Sequence, residues 1–224
     1  MEQFALNGIE ILVRRSPRAR RFSLRVSSLD GRVTMTVPKS VSMRDAKGFA
    51  EQKADWVTRA VSRVHEPVEI KPGARVPVEG VMREIAHHSA RSAKVDGQGL
   101  LVPVGREVPA LVALLKHLAR DRLFERVSHH AKALGRDYGR ITLRDTRSRW
   151  GSCSSQGNLM FSWRLMMATP DVLDYVAAHE VAHLERMDHS PAFWRVVDRL
   201  CPDHQAQRKW LREQGNALHR YRLS

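Results

Sequence analysis

The feature that most constrains this chain is the pentapeptide His-Glu-Val-Ala-His at residues 179–183, inside an apolar segment. The segment opens with Thr169-Pro170, a helix N-cap followed by a proline suited to the first helical position. The pattern predicts a helix from there to about Met187. Its two motif histidines are four residues apart, so they share one helix face and can bind the same metal ion.

The acid within this motif has a separate predicted role. Glu180 follows the first histidine and lies at the edge of the same face, within reach of a metal-bound water. Zinc with few protein ligands keeps a position open and lowers the pKa of its water toward 7. A carboxylate beside that water can act as a general base. The motif therefore predicts a zinc-dependent hydrolytic site.

A third metal ligand is expected close to the end of this helix. His189 lies six residues after His183, in a turn that can fold it back toward the metal, and it is the favoured candidate. Asp188 in the same turn and Asp198 on the following helix are alternatives. Glu185 is roughly 200° around the helix from His183, so it points away.

The overall charge points to a second kind of partner. Lysine plus arginine total 38 against 24 acidic residues, which gives a formal net charge of +14. The basic residues are spread along the chain. This surplus suits a polyanion such as nucleic acid or a nucleotide, although a basic surface can also serve solubility alone.

The remaining composition is that of an ordinary globular protein, with 42% hydrophobic residues. No apolar run reaches the length of a membrane-spanning helix. The N-terminus MEQFALNGIE has no apolar core of a secretory signal, so the cytoplasm is the expected compartment. In that compartment Cys153 and Cys201 are expected to be free thiols.

Local patterns predict two halves of different character. Residues 1–105 are expected to form a β-rich unit with one helix, which begins at Ser42. Hairpin turns are predicted at Asp30-Gly31, at Glu79-Gly80 and at residues 96–99. Residues 106–224 begin with a long helix from Glu107 to about Leu134 and are mostly helical. The boundary is therefore expected between residues 105 and 106.

Several further motifs surround the metal-binding pentapeptide. They are Arg149–Ser154 (RWGSCS), Gly157-Asn158, Trp163–Leu165, HEVAHLERMDHSPAFW, Arg199–Pro202 and Trp210-Leu211. With these motifs the chain resembles the YgjP-like metal-dependent hydrolases, which are related to the SprT-like zinc peptidases. The resemblance is strong over residues 140–215 and looser over the N-terminal half.

This resemblance implies an α+β, zincin-like catalytic domain of the minimal HExxH type. It also implies His179, His183 and His189 as zinc ligands and Glu180 as the catalytic carboxylate. The metzincin pattern also has a third histidine ten residues after the first, but it has glycine where this chain has Arg186. The chain is therefore not assigned to that class.

The segment before the metal helix is expected to border the cleft. Residues 158–164 (NLMFSWR) are predicted to be an edge strand to which an extended peptide could add, although their apolar side chains also suit a core strand. Arg147 or Arg149 could hold an anionic group or an oxyanion. Alternatively, Arg149 pairs with Asp174, and Gly151-Ser152 forms a turn.

Other residue types are given structural interpretations. The adjacent pairs His87-His88 and His129-His130 are expected at the surface rather than around a metal. Phe193, Trp194 and Trp210 are expected in the core. These interpretations leave the pentapeptide and His189 as the chemistry-bearing set.

Three functions are compatible with this sequence. The first is a zinc-dependent hydrolase, most simply a peptidase acting on a peptide or protein. The second is a metal-dependent hydrolase of nucleotide phosphoanhydrides. The third is a nucleic-acid-binding module with a structural metal, which would need four ligands where the sequence offers three convincing ones. No membrane partner is expected, and the sequence predicts no oligomeric state.

Overall fold

The computed structural model describes residues 2–27, 30–62 and 64–223. The chain forms two compact units, Met1–Glu66 and Pro67–Ser224, each of mixed α and β structure. Within the described residues, no helix has the length and apolar character needed to cross a membrane.

The first unit is a four-stranded sheet followed by two helices. Its elements are β1 (Glu2–Leu6), β2 (Ile9–Ser16), β3 (Ser23–Val26), β4 (Val33–Pro38), α1 (Met43–Gln52) and α2 (Ala54–Ser62). The strand order is β1-β2-β4-β3, in which β2 and β4 are parallel and the other pairs antiparallel. The hairpin predicted around Asp30-Gly31 is confirmed, whereas β1 was not predicted.

One face of this sheet is buried against the two helices. The buried sheet residues alternate along β2 and β4, as a strand with one covered face requires, and they are Ile11, Val13, Val33, Met35 and Val37. Ala46, Ala50 and Val57 supply the helical side of this core. The helix start at Ser42 is confirmed, because its side chain accepts a hydrogen bond from the Asp45 amide. The prediction of a single helix is wrong, since the first helix ends before Lys53 and a second one follows.

The second unit begins with the same arrangement of strands. Its first elements are β5 (Arg75–Val78), β6 (Val81–His88), β7 (Lys94–Asp96), β8 (Gly99–Pro103) and α3 (Glu107–Leu134). The order β5-β6-β8-β7 and the strand directions match those of the first sheet. A motif of four strands followed by a helix thus occurs twice, although no repeat is evident in the sequence.

The unit boundary differs from the predicted one. Residues 105 and 106 lie inside the second unit, because the sheet of β5 to β8 and the helix α3 share one buried core. Val76 and Leu100 from the sheet are fully buried in the same cluster as Leu111 and Leu115 from α3. The change from hairpins to helices in the sequence therefore marks a change of element within one unit.

The rest of the second unit follows α3. Its elements are β9 (Ile141–Arg144), β10 (Gly151–Cys153), β11 (Leu159–Ser162), a 3₁₀ helix (Trp163–Met167), α4 (Pro170–Ala182), α5 (Pro191–Leu200), α6 (His204–Gln214) and a short 3₁₀ helix (Gly215–His219). The third sheet has the order β10-β11-β9. Helix α4 carries the first four residues of the pentapeptide and ends at Ala182, earlier than the predicted Met187.

Candidate metal centre

Three histidines converge at the C-terminal end of α4. His179 comes from the last turn of that helix, His183 is its C-cap residue, and His189 comes from the turn after it. The ligand atoms of the three side chains lie within 4.8 Å of one another. The Nε2 atoms of His179 and His189 are 3.2 Å apart. Two nitrogens on one tetrahedral zinc, each about 2.05 Å from it, would be about 3.3 Å apart.

The early end of α4 explains how His189 reaches its neighbours. The helix stops at Ala182, and the next residues form a tight turn in which the Leu184 and Glu185 amides donate to the carbonyls of Val181 and Ala182. His183 Nδ1 lies 2.9 Å from the Arg186 carbonyl oxygen and donates to it as the neutral tautomer, which leaves Nε2 free for a metal. A helix continued to Met187 would have carried His189 away.

The alternative ligands are engaged elsewhere. Asp188 Oδ1 accepts hydrogen bonds from the amide and hydroxyl of Ser190, at 3.3 and 2.8 Å, and so orders the start of α5. Asp198 lies 3.1 Å from Nδ1 of His204, and Glu185 faces Arg199. None of these three carboxylates joins the histidine cluster.

Apolar packing surrounds the histidines on one side. The buried ring of Phe193 stacks on His183 with centroids 4.5 Å apart and meets His179 edge-on at 5.0 Å. Burial and the neighbouring imidazoles lower the pKa of His179 to about 3, and burial lowers that of His183. Both rings are therefore neutral at physiological pH, which is the form that binds a metal.

Glu180 is almost completely buried, with 5% of its surface exposed. Burial raises its pKa to about 8, against the opposing effect of the positive charge of Arg149. Gly151 lies directly against it: a Cβ atom there would be 2.5 Å from Glu180 Oε1. Any residue other than glycine at position 151 would therefore clash with this carboxyl group.

The strand pairing corrects the prediction for residues 158–164. Strand β11 is central, since it pairs antiparallel with β10 and parallel with β9, so it has no free edge for a peptide. Trp163 and Arg164 belong to the following 3₁₀ helix. Gly151-Ser152 is part of β10 instead of a turn, and β10 is the outer strand that passes beside Glu180.

Comparison with known families identifies this arrangement. The model of the YgjP-like metallopeptidase domain matches residues 20–214, which include most of each unit and the whole histidine cluster. The chain belongs to the YgjP-like metallopeptidase family. This membership shows that the protein is a metal-dependent hydrolase. The cluster of His179, His183 and His189 could hold its catalytic metal.

Other comparisons add little to the YgjP-like match. No curated protein matches the sequence. The chain is similar in part to the crystal structure of the metallopeptidase zymogen of Pyrococcus abyssi abylysin, at 19% identity and a TM-score of 0.38. That likeness covers 42% of this chain and 95% of the other.

An ion-pair network holds helix α4 in place in this YgjP-like domain. Its contacts show that two predictions were wrong. Asp174 on α4 accepts from Arg126 Nε at 2.5 Å and lies 2.6 Å from His130 Nε2, so its partners come from α3 and not from Arg149. His130 is only 1% exposed and therefore is not a surface residue. These contacts tie α4 to α3 ahead of the pentapeptide.

A second anchor, not predicted from the sequence, holds the segment before β10. Arg164 is buried and makes a bidentate ion pair with Asp145, with N–O distances of 2.7 and 3.1 Å. It also donates to the carbonyl oxygens of Leu218 and Tyr221. A buried charge in this apolar stretch is the signal that could have indicated such a role.

Proposed function

We propose that this YgjP-like protein is a zinc-dependent peptidase. His179, His183 and His189 hold the zinc ion, and Glu180 is the general base. The observation that carries the proposal is the convergence of three imidazoles next to a buried carboxyl group, alongside the outer strand β10.

The donor set suits zinc on chemical grounds. Imidazole is a common zinc ligand, and three protein ligands are what catalytic zinc sites use, leaving one position for water or substrate. A structural site would be closed by a fourth protein ligand, and the described residues offer three histidines. When bound, zinc would supply Lewis acidity that polarises a carbonyl group and acidifies water.

Glu180 supplies the proton transfer. Its carboxylate takes a proton from the attacking water and passes it to the nitrogen of the departing amine. Burial alone would keep this group protonated at neutral pH, since it raises the pKa to about 8. A divalent cation nearby favours the carboxylate form, so the same residue is basic when the site is loaded.

The outer strand β10 offers a place for the peptide. The Trp150 carbonyl oxygen accepts from the Ser162 amide, and the Asn158 carbonyl oxygen accepts from the Ser154 amide. The backbone N–H and C=O groups of the even-numbered residues in and beside β10 therefore point toward β11. By the alternation of an antiparallel ladder, the N–H and C=O groups of Gly151 and Cys153 face the open edge. An extended peptide paired there passes beside Glu180.

The proposal is tested by assaying zinc-loaded protein on a peptide library and, separately, on nucleoside triphosphates. We expect peptide cleavage that a chelator abolishes and that falls about 10²–10⁴-fold in Glu180→Gln. Cleavage retained in that variant would identify a contaminating protease. Hydrolysis of triphosphates but not of peptides would contradict the peptidase assignment and support the nucleotide alternative.

A further inference from the structure

The first unit contains a local cluster of arginines that the net charge of the whole chain does not reveal. Six arginines lie between residues 14 and 25. Five of them are exposed, namely Arg14, Arg18, Arg20, Arg21 and Arg25. Among the described residues none of these five takes part in an ion pair, in contrast to Arg15, which pairs with Glu2. Unpaired guanidinium groups remain available for an anionic partner.

The sheet register places two of them on one open surface. On the face opposite the buried core, Arg14 of β2 and Ser23 of β3 both pair with Thr36 of β4. In the next row on this face, Arg25 of β3 pairs with Thr34. Arg14 and Arg25 therefore flank the central strand from its two sides, about 10 Å apart across the sheet.

The other three arginines continue this surface at one end. Arg18, Arg20 and Arg21 lie in the connection of residues 17–22, which leaves β2 after Ser16 and enters β3 at Ser23. That connection adjoins the row that contains Arg14. We name the outer face of the sheet together with this connection the arginine face. The carboxylate on the same face, Glu10, lies two rows away from Thr36 along the sheet.

We propose that the arginine face binds nucleic acid through its phosphate backbone. Threonine hydroxyls between flanking guanidinium groups provide hydrogen-bond donors for phosphate oxygens, and phosphate contacts of this kind are independent of base sequence. The net charge of +14 adds long-range attraction to the same partner. This function goes beyond the proposed peptidase and uses none of its residues.

The test is fluorescence anisotropy of a labelled 20-nucleotide single-stranded DNA with the full chain between 50 and 300 mM salt. The variant is the triple substitution Arg18→Gln, Arg20→Gln and Arg21→Gln. A matched control removes three exposed arginines of the second unit that also lack a described ion pair, at positions Arg91, Arg120 and Arg136.

We expect the arginine-face triple to weaken binding at least tenfold at 50 mM salt and the control less than threefold. Three lost phosphate contacts lower the slope of log affinity against log salt by about 2 for a single strand. An equal loss in both triples, or no binding by the parent at 50 mM salt, would overturn the proposal. Binding to phosphatidylserine vesicles without oligonucleotide binding would overturn it as well.

The two proposals fail separately. The arginine-face triple should keep the zinc content and thermal stability of the parent, because its residues lie outside the histidine cluster and the described ion pairs. Loss of DNA binding therefore leaves the peptidase assay unchanged, and an inactive Glu180→Gln protein should still bind DNA.

Discussion

Gly151 shows how a residue without a side chain can determine the chemistry of its neighbour. Its backbone is so close to Glu180 that a Cβ atom would lie 2.5 Å from Oε1 and 2.6 Å from Cγ. Gly151→Ala must therefore displace the carboxyl group. Misplacement of a catalytic group by about 1 Å costs on the order of 10²-fold in rate. Kinetic measurements on Gly151→Ala should show this loss of rate at unchanged zinc content. The control Ser152→Ala should keep a rate close to that of the parent. Full activity in Gly151→Ala would mean that Glu180 has room to move without consequence.

His219 provides a pH-dependent test of packing near β10. It stacks on Trp150, with centroids 5.4 Å apart, and burial together with the charge of Arg164 lowers its pKa to about 4 from an ordinary value of 6.5. Between these values the unfolded chain binds a proton that the folded chain does not. Stability is therefore retained above pH 6.5 and lost as the pH falls toward 4.

The comparison for this residue is His219→Phe, which keeps a ring against Trp150 and cannot be protonated. We expect the free energy of unfolding of the metal-free protein to fall less between pH 7 and pH 5 in this variant than in the parent. Urea denaturation at the two pH values measures this difference. Parallel losses in both proteins would show that His219 is accessible to protons in the folded state.

At the scale of elements, the open edge of β10 is the feature to test. Cys153→Pro removes an N–H that faces outward and leaves the hydrogen bonds to β11 in place. Turnover of long peptides is expected to fall at least tenfold, with zinc retained. Cys153→Ala is the control, since it alters the side chain but keeps the N–H. Equal turnover in the two variants would exclude peptide pairing along this strand.

The elements that sequence predicted well are those set by local signals. The Ser42 cap, the turns around residues 79–80 and 96–99, and helix α3 with its end at Gly135 all depend on residues a few positions apart. The central position of β11 was not predictable in this way. It depends on pairing with β9, about 18 residues earlier in the chain, and no local pattern encodes that partner.

The candidate site divides in the same manner. The spacing of His179 and His183 follows from helix geometry, and both were identified from the sequence. The position of Gly151 against Glu180 and the contact of Asp174 with His130 join segments tens of residues apart. Such contacts arise from tertiary packing, so local patterns in the sequence identify the residue types but not their partners.

For the whole molecule, the unit boundary predicts which fragments fold. Residues 67–224 contain the complete buried cluster shared by α3 and the sheet of β5 to β8. Residues 106–224 would expose Leu111 and Leu115, which are fully buried in the intact unit. We expect the longer fragment to unfold cooperatively and to bind zinc, and the shorter one to aggregate. Thermal melts followed by circular dichroism, together with zinc analysis, measure both properties. A fragment 106–224 that is soluble and unfolds cooperatively would instead support a unit boundary near residue 105.

We propose that three histidines hold the metal and that Glu180 acts beside it without binding it. The most direct measurement is zinc content by elemental analysis, with zinc affinity, in purified Glu180→Gln and His189→Ala. We expect Glu180→Gln to hold one zinc per chain as tightly as the parent. His189→Ala should lose affinity by more than the 10–100-fold typical of outer contacts to metal ligands. If His189→Ala holds zinc like the parent, or if Glu180→Gln is the variant that loses it, the assignment of roles is contradicted.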